Sequence, residues 1–96
     1  MSKNISETSN ALPLAGSVTS TTTAAALPAL DHAHALREII LQAHPDNDDN
    51  ILIGNSGAQG WVLEAGEEMG IPVGNPAEVF HRAATGTQVL GYLGRD

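Results

Sequence analysis

After residue 35, apolar side chains fall into short runs, each cut off by Gly, Pro or Asn. Arg37-Glu38-Ile39-Ile40-Leu41-Gln42-Ala43 ends ahead of His44-Pro45, and the pattern predicts a strand over Leu36–Ala43. Pro45-Asp46-Asn47-Asp48-Asp49-Asn50 is turn-forming throughout. Ile51-Leu52-Ile53 reads as a short buried strand, stopped by Gly54-Asn55-Ser56-Gly57, so Leu36–Ile53 is expected to form a hairpin with a long acidic loop. Gln59-Gly60-Trp61-Val62-Leu63 follows, and Ala65-Gly66-Glu67-Glu68 turns the chain again. In Met69-Gly70-Ile71-Pro72-Val73 the large residues share one face, and Pro72, lacking an N–H donor, predicts an edge or bulged strand. Gly74-Asn75-Pro76 is a turn, Glu78–Ala83 a strand, Thr85-Gly86-Thr87 a turn and Gln88–Leu93 the last strand. Such spacing predicts an all-β fold, a small antiparallel β-sandwich or barrel.

The first part of the chain has a different character. Residues 1–26 are rich in Ser, Thr, Ala and Asn and include the run Thr19-Ser20-Thr21-Thr22-Thr23. Alone, such a segment buries too little to fold. Thr and Val favour extended backbone, so Ser17–Ala26 can become a strand when given a sheet edge. Pro28 disfavours helix at Leu27. A turn or short helix is expected near Asp31–Ala35, where Asp31 can cap and Leu30, Ala33, Leu36 and Ile40 approach a helical stripe. The organisation read from this is an extended N-terminal arm over 1–26 and a β-sandwich domain over 27–96, with its core between residues 37 and 93.

Charge narrows the partners. Four Lys plus Arg stand against eleven Asp plus Glu, a net charge of −7. An acidic chain repels the phosphate backbone and anionic membrane surfaces, which argues against both as partners. No cysteine is present, which excludes disulfides and thiolate zinc sites and fits assembly in a reducing cytoplasm. No run approaches the ~20 apolar residues of a membrane helix, and Met1–Ala15 lacks the basic start and apolar stretch of a signal peptide. With Trp61, Phe80 and Tyr92 as the only aromatics, the core must come from Ile, Leu and Val.

Catalytic and metal chemistry find little support. Asp46, Asp48 and Asn50 have the spacing that opens an EF-hand, but Ile51 stands where Gly is needed and Gly57 where Glu belongs. The loop is expected to be solvated. His32 and His34 share a strand face but have no third ligand nearby, and His44 and His81 are expected at the surface or an interface. Protonation of four His near pH 6 would lower the negative charge and make assembly pH-sensitive. Ser56 lacks a nucleophile-elbow spacing, and the glycines of Gly54–Gly60, with no Lys-Ser/Thr after them, read as positive-φ turns. Glu64, Glu67 and Glu68 sit at a turn. No catalytic residue, metal site or cofactor is assigned. Trp61 is expected either as a core plug between two sheets or as an interface anchor.

Taken in order, the Pro-Asp-Asn loop, Ile51-Leu52-Ile53-Gly54-Asn55-Ser56, Gly60-Trp61-Val62-Leu63-Glu64-Ala65-Gly66-Glu67, Ile71-Pro72-Val73, Glu78-Val79-Phe80 and Ala84-Thr85-Gly86-Thr87-Gln88-Val89-Leu90-Gly91-Tyr92-Leu93 form a series. It resembles small virion structural proteins of tailed bacteriophages: capsid decoration (cement) proteins, head-fibre bases and tail-associated modules. The resemblance covers roughly residues 17–93, with His32-Ala33-His34-Ala35 as a departure. It implies a β-sandwich that assembles in the host cytoplasm and works on the virion capsid surface. A decoration protein would bind the major capsid protein and copies of itself, by analogy as a trimer. Its contacts would come from Val18, Thr19, Thr21, Thr22, Thr23 and Trp61. The other readings are a head-fibre or tail-module base and, from another class, a small intracellular protein-binding module.

Overall fold

The computed structural model describes residues 14–29 and 36–95. They form strands β1 (Leu14–Ser20), β2 (Ala25–Ala26), β3 (Glu38–Ala43), β4 (Ile51–Gly54), β5 (Trp61–Leu63), β6 (Glu68–Ile71), β7 (Phe80–Ala83) and β8 (Gln88–Arg95), with one 3₁₀ turn over Pro76–Glu78. The all-β expectation is correct. The readings on residues 1–13, and the turn or helix near Asp31–Ala35 with His32 and His34, lie outside the described residues.

The strands make two four-stranded sheets, in the orders β1-β8-β3-β6 and β2-β7-β4-β5. Every pairing is antiparallel. The pairs β1·β8, β2·β7, β3·β6 and β4·β5 are those of one long hairpin whose tip is the Gly54–Gly60 turn region. Rolling that hairpin over adds β3·β8 and β4·β7. The outcome is an eight-stranded jelly roll.

This topology corrects the expected hairpin over Leu36–Ile53. β3 and β4 lie in different sheets and do not pair; residues 44–50 cross between the layers. The alternation reports which side chains face inward and not which strand lies alongside. Ile39, Leu41 and Ala43 of β3 are buried, as are Ile51 and Ile53 of β4. They meet across the layers with Leu27, Leu63, Val79 and Leu90 in one core. That core is aliphatic, as the shortage of aromatics required; Tyr92, Met69, Ile71, Val73 and Val18 pack at its margin.

Residues 14–26 belong to this sandwich, because β1 closes one sheet against β8 and β2 closes the other against β7. The folded unit therefore extends well before residue 37. β6 ends at Ile71 and lies at a sheet edge, in agreement with the prediction from Pro72. Gly66 and Gly86, in the two predicted turns, have φ of 84° and 58°. The glycines of Gly54–Gly60 do not have positive φ. Gly54 is needed for a different reason: a Cβ there would lie 2.0 Å from the Ala58 carbonyl oxygen.

Candidate protein-association surfaces

A sandwich of two open sheets has two open sides. Here β1 and β2 occupy one, and β5 and β6 the other. The sequence-predicted contact residues are thereby separated: Val18, Thr19, Thr21, Thr22 and Thr23 fall on the first side and Trp61 on the second.

On the first side, the chain from Leu14 to Ala29 carries no ionisable side chain. β1 is seven residues long, and among the described residues one of its backbone edges has no partner strand. It contains none of the charges or prolines by which proteins usually blunt a free edge. Val18 is half-buried opposite Leu90 and packs on the core, while Thr19 is exposed opposite Val89, itself 38% exposed. Thr21 shapes the link to β2. Its Oγ1 accepts the Thr23 N–H at 3.2 Å and its hydroxyl donates to the Thr23 carbonyl at 3.4 Å. The Thr21 carbonyl accepts the Ala83 N–H at 2.6 Å, tying this side to β7. Thr22 and Thr23 are exposed.

The two layers are also joined by a buried polar pair. His81 Nδ1 of β7 lies 2.9 Å from Ser20 Oγ of β1, and both residues are buried. Desolvation holds the imidazole pKa below its ordinary value. This corrects the expectation of a surface or interface His81. The signal was present: His81 shares strand parity with Val79 and Ala83, both core-facing.

On the second side, Trp61 is 65% exposed, which overturns the core-plug reading. Its register partner is Ile53, 2% exposed, so Trp61 stands on the inward face of β5. The opposite layer does not reach over it. Between β5 and β6 a cleft of about 360 Å³ remains open, lined by Ile53, Trp61, Met69, Ile71, Val73 and Val79. Val62, pointing the other way, is 48% exposed.

The acidic loop is more ordered than a solvated loop. The Asn47 side chain mimics a strand residue: its Oδ1 accepts the Val89 N–H at 2.8 Å and its Nδ2 donates to the Val89 carbonyl at 2.9 Å. Buried Gln88 donates to Asp48 Oδ1 at 2.8 Å and to the Thr85 carbonyl at 3.1 Å, and accepts the Asp48 N–H at 3.1 Å. The Thr85 hydroxyl donates to Asp49, which, with the Asn50 N–H, holds the Asp49 pKa below its ordinary value. The loop carboxylates thus cap the start of β8. Among the described residues no group of three or more His, Asp or Glu is arranged to hold a metal.

Ser56 is exposed in the turn that Asn55 closes by accepting the Gly57 and Ala58 N–H groups at 2.8 and 3.0 Å. Glu64, Glu67 and Glu68 are exposed, and Glu67 accepts the Glu64 N–H at 2.7 Å. These contacts are turn-building. Among the described residues no helix is long and apolar enough to cross a membrane. Comparison with known proteins gave no matching family model, no matching curated protein and no matching solved structure.

Proposed function

We propose that the chain is a virion structural protein of a tailed bacteriophage: a capsid decoration protein that joins copies of itself and docks on the major capsid protein lattice. The observation that carries the associative part is the uncharged β1 edge over Leu14–Ser20, which no strand among the described residues pairs. Molecules of net charge −7 repel one another, so contact between copies needs a surface free of carboxylates. Residues 14–29 supply one along a whole side of the sandwich. A strand from a neighbour can add there by backbone hydrogen bonds, with Thr19, Thr22 and Thr23 alongside.

A jelly roll serves viral shells, lectins and cupins alike, so the fold does not choose among them. The virion placement rests on the resemblance of the series from Ile51 to Leu93 to phage structural proteins. The mechanism is burial: a bound decoration protein adds its binding free energy to the assembled shell and none to the free subunits.

Quantitative mass spectrometry of purified particles tests this. A decoration protein is present in tens to hundreds of copies per particle. A few copies confined to neck or tail would instead indicate a fibre or tail-module base. Absence from the particle would end the virion reading and leave an intracellular protein-binding module.

A further inference from the structure

The β5–β6 side has a chemistry unlike that of β1 and β2. We infer that the cleft between β5 and β6 is a second docking site, built for an extended, basic segment of a partner chain that inserts an aliphatic side chain beside Trp61. The inference does not depend on where the protein works.

Three observations lead there. The cleft is apolar and open, with Ile53, Met69 and Ile71 along its wall and the exposed indole of Trp61 at its mouth. Tryptophan at the rim of an apolar hollow is typical of an interface anchor. The cleft also runs between two edge strands, and among the described residues β5 and β6 each have one side with no partner strand, where another strand can pair. Its surroundings are strongly acidic. Glu78 lines the cleft and Glu64 and Glu67 form the β5–β6 turn, all three exposed; the Glu68 side chain lies on the outer face of its sheet, beside Ile40 and Gln42. From Glu38 to His81 the chain holds eight carboxylates and no lysine or arginine.

The charges select the occupant. A second copy would bring its own net charge of −7 to this rim. A segment alternating Lys or Arg with Leu or Ile satisfies both parts of the site: its apolar residues face the cleft and its cations face the glutamates. Exposed ion pairs of this kind are weakened by salt.

The test uses the full chain labelled for two-dimensional NMR and a capped peptide of alternating lysine and leucine, about six residues long, the usual length of a strand. A matched peptide with glutamate for lysine is the control. The expected result is saturable shifts of the Trp61 indole N–H and of the amides of Trp61–Leu63 and Glu68–Ile71, with the lysine peptide only. Binding should weaken sharply toward about 0.5 M salt. Glu78→Gln should weaken it roughly threefold, whereas Glu68→Gln, on the outer face of the sheet, should leave it unchanged. Absence of shifts, equal shifts with the glutamate peptide, or shifts centred on Asp46–Asp49 would each overturn the inference. Self-association and particle copy number are unaffected by any of these outcomes, so the two proposals fail separately.

Discussion

Trp61→Ala, compared with Ile53→Ala, examines how the two layers meet. The two residues are register partners on the same inward face of β4 and β5, yet one is 65% and the other 2% exposed. Burying a tryptophan fully removes roughly 150–250 Å² from water. Trp61 buries the remaining 35% (100 − 65), or roughly 50–90 Å². At about 25 cal/mol per Å² this is worth ~1–2 kcal/mol, an upper bound because the unfolded chain also buries surface. Ile53→Ala removes side-chain volume from a packed core and should cost ~2–5 kcal/mol. Urea unfolding followed by far-UV circular dichroism measures both, and Ile53→Ala should be the more destabilising, by ~2 kcal/mol at the middle of the two ranges; each kcal/mol corresponds to about 4–8 °C in Tm for a domain of this size. A loss of 3 kcal/mol or more for Trp61→Ala, about the cost for a fully buried tryptophan, would mean that the indole is enclosed. The cleft between β5 and β6 would then not exist as described.

Other substitutions probe the remaining features. Gly54→Ala would place a methyl 2.0 Å from the Ala58 carbonyl oxygen, forcing the backbone apart at a cost of ~1–3 kcal/mol, which differential scanning calorimetry would show as a lower Tm. Gln88→Leu keeps the volume but strips the Asp48 N–H and the Thr85 carbonyl of their partner, and chemical denaturation should register a loss of ~1–3 kcal/mol. His81 has a lowered folded pKa, so below about pH 6.5 the unfolded state binds more protons than the folded one. Stability should therefore fall as the pH drops through that value, and should stop falling once the folded-state pKa is passed; in His81→Asn that part of the pH dependence should disappear from the unfolding free energy. By the same argument, His81 takes up a proton less readily than an ordinary histidine and contributes less to any pH-sensitive assembly.

Much of the fold could be read from local pattern. The inward parity of Ile39, Leu41 and Ala43, and of Ile51 and Ile53, is visible in the order of the residues, because side chains alternate across a strand whatever its neighbour. The positive φ expected for Gly54–Gly60 falls instead at Gly66 and Gly86, whose turns were equally legible from their residues. Pairing was not. β3 lies beside β6 and β8, strands that follow it by some thirty and fifty residues, and no local signal separates that arrangement from a β3–β4 hairpin. The surfaces depend on pairing more than the core does. Trp61 lies open because β6 ends at Ile71 on the facing layer, and the uncharged residues 14–29 form one continuous side because β1 and β2 happen to be the edges of both sheets. The parity of His81 points inward while its polarity points to the surface; Ser20, sixty-one residues away, supplies the partner that makes its burial tolerable.

The account turns on β1 being the edge through which copies associate. Hydrogen exchange of the backbone amides, read by NMR over a series of protein concentrations, addresses this without reference to any partner. Amides of Leu14–Ser20 that face the free edge should gain at least about tenfold protection as the concentration rises, equivalent to ~1.4 kcal/mol. Those of Trp61–Leu63 on the opposite side should not change. Protection of the β1 amides that stays constant across the series, or that grows at β5 instead, would contradict the account.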